Sequence, residues 1–393
     1  MKRSGNAFLV IFFALFVAGC SARLLPEQHN RLQSVFKEAA VQYRTLASAT
    51  PDGRFPKAIT PGGRLETSGS GWWCSGFYPG TLLYLYEQTK DKWLEAEALR
   101  RLKTLEKEQY NTSTHDLGFM MYCSFGNAYR LDPKPEYRAI LLNSARSLAT
   151  RFNAQVGCIK SWDSRNPSDF LVIIDNMMNL ELLFWATRVS GDSSFHKIAI
   201  THANTTMKHH FRSDNSSYHV VNYDINTGKP RRKHTAQGAA DHSAWSRGQA
   251  WGLYGFTVMY RETGDKKYLD QAAAIAGFML NHKNLPADKV PYWDFNAPGI
   301  PNALRDASAG AITASALLEL ADYLPDARNS YRQTAAQILK TLSGPEYRAT
   351  AGSNAGFLLK HSVGSLPGKS EVDVPLSYAD YYFIEACKRQ KKR

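Results

Sequence analysis

Two kinds of segment alternate along this chain. In one kind nearly every position is apolar, as in residues 80–86, 180–185 and 252–260. In the other, apolar residues recur at helical spacing, with Lys, Arg and Glu on the opposite face. Short polar turns join them at Asp91, at Gly191-Asp192 and at Gly264-Asp265. Weaker copies surround Tyr129 with Asp132, and Tyr323 with Asp326. A helix apolar all round belongs in the core, and an amphipathic one belongs outside it. Gly and Asp in the turns stop one helix and start the next. About five such hairpins predict an all-α fold, a toroid with an inner and an outer ring of helices. The copies recur too irregularly for a stacked solenoid. The extra length falls in loops ahead of the inner helices. Those loops carry Trp72-Trp73, Trp162-Asp163 and the histidines between 202 and 242. A cleft is expected at that end.

Composition permits a large core: 44% of the residues are hydrophobic and 12% aromatic. No Pro/Ser-rich linker or low-complexity stretch divides the body, so residues 20–393 read as one domain. The N-terminus reads as a sorting signal. Lys2 and Arg3 precede an apolar run over residues 7–17, and Val17-Ala18-Gly19-Cys20 resembles a bacterial lipobox. Residues 1–19 are therefore expected to be a lipoprotein signal peptide, with lipidation at Cys20. Ordinary signal cleavage and an anchor helix are the plainer readings, and the run is short for a membrane span. Ser21, where an Asp would retain a lipoprotein at the inner membrane, points to a periplasmic enzyme lipid-anchored to the outer membrane.

The formal net charge is +13. Lys2 and Arg3 leave with the signal, and residues 388–393, read as a short basic tail with a solvated, frayed end, carry five positive charges. The remaining excess of about +6 favours an anionic partner. Export and the lack of a recognition motif exclude nucleic acid, whereas an acidic sugar fits. No CxxC, HExxH, P-loop or GxGxxG is present, so no metal and no cofactor are expected. Cys74, Cys123, Cys158 and Cys387 are read as free thiols, although export would permit disulfides.

Two carboxylates stand out. Asp116 lies in Thr114-His115-Asp116-Leu117-Gly118-Phe119, and Asp175 in Ile173-Ile174-Asp175-Asn176-Met177-Met178. Each heads an apolar helical run in an aromatic-rich frame. Such a pair suits sugar chemistry, in which one carboxyl donates a proton and the other sets its charge state. The structural alternative is that both are helix N-caps, since Asp is a favoured cap.

These segments, together with Trp245-Ser246-Arg247-Gly248-Gln249-Ala250-Trp251-Gly252, resemble glycoside hydrolase family 88, the unsaturated glucuronyl hydrolases. The likeness extends through Ser75-Gly76-Phe77-Tyr78-Pro79-Gly80, Asp306-Ala307-Ser308-Ala309-Gly310-Ala311-Ile312 and Glu371-Val372-Asp373-Val374-Pro375-Leu376-Ser377-Tyr378-Ala379-Asp380-Tyr381-Tyr382-Phe383, in colinear order. The resemblance implies an (α/α)6 barrel. It also implies release of a 4,5-unsaturated glucuronic acid from lyase-generated glycosaminoglycan fragments, by hydration of the C4=C5 vinyl ether. Asp175 is then the acid/base, with Asp116 orienting the sugar and tuning Asp175. His115, Trp73, Trp162, His219, Gln237, Arg247, Trp245 and Trp251 are implied to bind substrate. Of the tryptophans, Trp251 is favoured because Gly248 and Gly252 leave room around it. Arg247 is expected to grip the uronate carboxylate, and Lys369 is the candidate for a sulfate. The family often has His directly before the glutamine, where this chain has Ala236, and His234 or His242 is expected to compensate. In the serine positions of the family's sulfate-accepting motif this chain has Gly364 and Pro367.

The expected partner is an unsaturated chondroitin, hyaluronan or heparin disaccharide, with membrane contact only through the lipid anchor. The competing readings are an unsaturated rhamnogalacturonyl hydrolase on the same barrel and an inactive glycan-binding lipoprotein. The pairing of His115 with Asp116 and the Arg247 segment favour glucuronyl substrates. Retention of both aspartates argues against an inactive barrel.

Overall fold

The computed structural model describes residues 26–164 and 166–392, so the proposed signal peptide 1–19 and Cys20 lie outside the described residues. Helix α1 (Pro26–Ala49) comes first, without a hairpin partner beside it in sequence. Two short strands follow, β1 (Phe55–Ile59) and β2 (Leu65–Ser68). The first hairpin is α2 (Phe77–Thr89) with α3 (Lys92–Leu105). The second starts as a π-helix (Gly118–Gly126), continues as α4 (Asn127–Leu131) and returns as α5 (Pro135–Ala149). Strands β3 (Phe152–Asn153), β4 (Cys158–Ile159) and β5 (Phe170–Ile173) lead to the third hairpin, α6 (Leu180–Ser190) with α7 (Ser193–His209). Then come β6 (Val220–Tyr223), β7 (Pro230–His234) and the pair α8 (Ser246–Thr263) with α9 (Lys266–Asn281). The fifth hairpin is α10 (Ala307–Tyr323) with α11 (Arg328–Leu342). Strands β8 (Ser362–Ser365) and β9 (Ser370–Val374) precede the last helix, α12 (Ser377–Lys391).

The turn chemistry explains the repeat. At the end of each of three inner helices one residue takes a positive φ: Lys90 at 61°, Gly191 at 76° and Gly264 at 68°. Glycine reaches that region without a Cβ clash. The next residue is an Asp whose carboxylate caps the outer helix: Asp91 accepts from Trp93 N at 3.0 Å, Asp192 from Ser194 N at 2.8 Å and Asp265 from Lys267 N at 3.1 Å. Helices α8, α10 and α12 are buried around nearly their whole circumference, which the apolar run over residues 252–260 predicts for α8.

The sixth pair closes the ring. Helix α12 is the last inner helix, and its outer neighbour is α1, from the other end of the chain. Tyr43 Oη on α1 donates to Asp380 on α12 at 3.2 Å, and Arg44 pairs with Asp91 ahead of α3 at 2.5 Å. The described helices thus form the (α/α)6 barrel. Residues 388–391 are not a frayed tail: they are the last turn of α12. Lys388 pairs with Glu87 at 2.8 Å, and Arg389 pairs with Glu319 and donates to Tyr254 Oη at 2.8 Å. Basic residues are favoured there because a helix C-terminus is the negative end of its dipole. The four described cysteines are free thiols.

Candidate active site

All six inner helices point the same way, with their N-termini at the end that carries the long loops. A cavity of about 360 Å³ opens there, lined by Trp73, His115, Asp116, Trp162, Asp175, His219 and others named below.

Strand pairing delivers Asp175. Strands β5, β6 and β7 form an antiparallel sheet in that order, with Ile173 opposite Val220. Ile174 N then donates to His219 O at 3.1 Å, which sets Asp175 beside the His219 ring. Asp175 lies in a 3₁₀ turn (Ile174–Asn179) that runs into α6. It caps nothing, and neither does Asp116. Asp116 instead accepts from Thr114 Oγ1 at 2.8 Å, and His115 Nε2 lies 3.3 Å from its other oxygen.

The two catalytic segments are pinned together. Asn179 Oδ1 accepts from Phe119 N at 3.0 Å, in the first turn of the π-helix. A Cβ on Gly118 would sit 2.4 Å from Asn179 Cα, so only glycine permits this approach.

Burial pushes the Asp175 carboxyl up to about 7. The Arg247 guanidinium opposes that shift, the Asp116 carboxylate adds to it, and the Trp251 indole N–H favours the charged form. Desolvation is the dominant cause, because a buried carboxylate loses its hydration. His219 Nδ1 accepts from the backbone N–H groups of Ala236 and Gln237 at 3.1 and 3.2 Å. The neutral ring therefore carries its proton on Nε2, which lies 3.8 Å from Asp175 Oδ2. Burial holds the ring neutral by lowering its pKa to about 3. Burial likewise lowers that of His115. Asp175 Oδ2, His219 Nε2, His115 Nδ1, Arg247 Nε and Tyr378 Oη are all buried without a hydrogen-bond partner in the protein.

Several sequence expectations need correction. Trp251 does not reach the cavity; it is fully buried beneath it, packed on Phe119 at 5.0 Å and Tyr382 at 5.3 Å. The room at Gly248 is filled by Trp245, whose ring a Cβ would meet at 2.7 Å. Trp245 is also buried, packing on His219 at 4.6 Å and beneath the Arg247 guanidinium at 4.5 Å. Arg247 lines the cavity with its Nε unpartnered, while its two terminal nitrogens are engaged by the protein. It donates to Val363 O and, at 2.7 Å, to Gly364 O, and it pairs with Asp306 at 3.4 Å. Lys369 is exposed in the β8–β9 turn and is not part of the cavity wall. Neither His234 nor His242 replaces the missing histidine, since Ala236 itself lines the cavity and they do not.

Trp73, Trp162, His115, His219 and Gln237 do line it, and Gln237 Nε2 donates to Gly364 O at 3.0 Å. Further lining residues were missed as site residues, Trp72, Glu371 and Tyr378 among them. Trp72 gave a signal beside Trp73. Glu371 and Tyr378 gave none beyond their place in the C-terminal motif.

The profile of Glycosyl Hydrolase Family 88 matches residues 47–281. The chain belongs to that family. The unsaturated glucuronyl hydrolase of Formosa agariphila is 48% identical over 321 residues, covering 81% of this chain and 80% of that protein. An unsaturated chondroitin disaccharide hydrolase of Streptococcus pyogenes serotype M1 is 32% identical, covering 85% of each. A crystal structure of an unsaturated glucuronyl hydrolase specific for heparin superposes with a TM-score of 0.90 at 48% identity, covering 92% of this chain and 97% of that one. The barrel is thus a family 88 glycosidase, with the aspartates of both quoted motifs facing one cavity.

Proposed function

We propose that this enzyme releases the 4,5-unsaturated glucuronic acid at the non-reducing end of lyase-generated glycosaminoglycan oligosaccharides. The observation that carries the reading is Asp175: a carboxyl raised to about 7 by burial, facing a sugar-sized cavity beside a second carboxylate. At neutral pH about half the molecules hold the proton that vinyl-ether hydration requires.

Asp175 gives its proton to C4 of the unsaturated ring. The C4=C5 electron pair forms the new C–H bond, and the ring oxygen stabilises the cation at C5. The Asp175 carboxylate then takes a proton from a water whose oxygen bonds to C5. The resulting hemiketal opens by cleavage of the C5–O ring bond, leaving a ketone at C5. The hemiacetal at C1 releases the remaining sugar as an alcohol. His219 orients the carboxyl through its fixed tautomer. Asp116 and His115 position the ring, and Trp73 and Trp162 enclose it. The buried Arg247 and the six helix N-termini give this end a positive field that suits a uronate. The acidic disaccharides of chondroitin, hyaluronan and heparin are the substrate class.

The test is loss of ultraviolet absorbance from unsaturated disaccharides, set against saturated equivalents. Hydrolysis of the unsaturated sugar alone is expected. Comparable rates on a saturated glucuronide would refute hydration, and activity confined to unsaturated rhamnogalacturonan fragments would move the substrate to pectin. The lipobox-like residues further support lipidation at Cys20 and a periplasmic, outer-membrane-anchored location. Mass spectrometry of the membrane fraction should find a lipid on Cys20, and its absence would remove that part of the proposal.

A further inference from the structure

Strand β7 carries three consecutive cations, and the fold treats them differently. Arg231 pairs with Asp224 at 2.6 Å and Arg232 with Asp241 at 3.3 Å. The Lys233 ammonium has no ion pair and no hydrogen bond among the described residues; it lies 4.8 Å from the centroid of the Tyr218 ring. A second cation shares that ring, with the Arg212 guanidinium 3.9 Å from its centroid. The Arg212 donors go to neutral acceptors: Ser216 Oγ at 3.0 Å, Ser217 O at 3.1 Å and Asp241 O at 2.7 Å. Its position is therefore fixed while its charge stays unpaired. Asp214, the carboxylate on which Arg212 acts, is already engaged by the backbone N–H and hydroxyl of Ser216. Lys208 and His209 in the last turn of α7 complete the group, and both Lys208 and Lys233 act on His209.

Holding these cations together has a cost. Like charges repel, and partial burial weakens the screening between them. Burial and the Arg212 charge accordingly lower the pKa of Lys233. A bound anion would offset that repulsion. The cluster is separate from the catalytic cavity. His219 lines the cavity, whereas Tyr218 before it packs outside, on the apolar cluster that holds Val221 and Tyr223. Lys208, His209, Arg212 and Lys233 are all absent from the cavity wall. Lys208 is exposed, and Arg212, Tyr218 and Lys233 are half-buried.

We propose that Lys208, Arg212 and Lys233, arrayed around Tyr218, form a second, non-catalytic site that holds the sulfate and carboxylate groups of an intact acidic polysaccharide. The choice of polysaccharide rests on the function proposed above: the fragments taken by the cavity are cut from such a polymer, and holding the polymer keeps the enzyme where they are released. The Tyr218 ring attracts both cations to its π-system and so preorganises them for a repeating anion.

The experiment measures binding of intact chondroitin sulfate with saturated ends to wild type and to two double variants. Lys208→Gln with Lys233→Gln removes two cluster charges whose ammonium groups hold no hydrogen bond in the protein, so the fold should survive. Lys103→Gln with Lys340→Gln removes the same charge from exposed lysines on α3 and α11. The cluster variant should bind the polymer about tenfold or more weakly than wild type, and the control within about twofold of it. Both should keep the wild-type kcat/KM on an unsaturated chondroitin disaccharide. Equal weakening in the control would reduce the effect to net charge and overturn the site. A fall in disaccharide kcat/KM confined to the cluster variant would make the cluster part of the catalytic site and overturn it as well. Cluster-dependent binding to vesicles of anionic phospholipid, with none to the polymer, would replace the polysaccharide by a lipid surface. If wild type binds the polymer through the cluster but hydrolyses no unsaturated disaccharide, the proposed function fails and the site stands.

Discussion

The two mouths of the barrel are built from the same six inner helices, yet they treat polar groups in opposite ways. At the N-terminal mouth, His115, Asp175, His219, Arg247 and Tyr378 each keep a buried polar atom without a partner in the protein. The C-terminal mouth holds a cavity of about 630 Å³, larger than the catalytic one, lined by Glu181, Arg261, Glu319, Glu385 and Arg389 among others. None of its lining residues has an unpartnered buried polar atom. Arg261 pairs with Glu181 and, at 3.0 Å, with Glu319. Glu385 accepts from Tyr84 at 3.0 Å, from Tyr254 at 3.0 Å and from Ser315 at 2.5 Å. Size therefore does not locate the chemistry in this barrel. Between the two cavities, what differs is the unsatisfied donors and acceptors of their lining residues, and an unpaired buried polar group is costly to keep. The C-terminal mouth closes the ring, and the N-terminal mouth draws on the stability so gained.

The sharpest way to break this comparison is at Asp175. Asp175→Asn should lower kcat by about 10²–10⁴-fold, the usual contribution of a general acid. It should also stabilise the protein at alkaline pH. A carboxyl raised to about 7 in the folded state, against about 3.9 unfolded, binds its proton more tightly when folded. The wild type therefore loses stability as pH rises from about 4 to about 7, by up to about 4 kcal/mol. Thermal melts of both proteins at pH 5 and pH 8 should show a gap in favour of the variant that widens at pH 8. A gap independent of pH would contradict the burial argument.

At the other mouth the pattern should invert. Arg389→Met leaves Glu319 and Tyr254 short of a partner in a buried network. It should cost about 3–5 kcal/mol of stability, while kcat/KM of the folded fraction stays close to wild type. A selective loss of kcat would mean that the two ends are coupled.

Asn179→Ala removes the pin between the catalytic segments. A fall of about tenfold or more in kcat with little change in KM is expected, since small displacements of catalytic groups are expensive. A change confined to KM would mean that Asn179 does not position the aspartates. The smallest effect concerns pH. In Asp116→Asn, whose residual rate should be low, the alkaline limb should move down by less than about one pH unit, because burial outweighs the Asp116 charge in raising Asp175. A larger shift in the residual activity would make Asp116 the dominant influence.

Much of this was legible in the sequence, for physical reasons. Apolar runs marked the inner helices, and the Gly-Asp turns marked the hairpins, because positive φ and side-chain capping are local demands. The sixth hairpin was not legible: α1 and α12 stand at opposite ends of the chain, and only tertiary closure makes them neighbours. The same closure turns Lys388 and Arg389 from an apparent tail into partners of Glu87 and Glu319. The catalytic aspartates were found through their motifs. Which tryptophan faces the sugar was not, because the room beside Gly248 is filled by Trp245, and Trp251 lies below the floor. Arg247 carried the right charge, and only the structure shows that strand β8 engages its two terminal nitrogens while Nε stays unpartnered.

The most direct test of the account is the titration of Asp175 itself. Carbon NMR of protein labelled at its Asp carboxyls, with Asp175→Asn used to assign the resonance, would read the proton on this one group. The account predicts a midpoint near 7, coinciding with the alkaline limb of kcat/KM on an unsaturated disaccharide. A midpoint near that of an ordinary aspartate, about 4, with undiminished turnover at neutral pH, would contradict it.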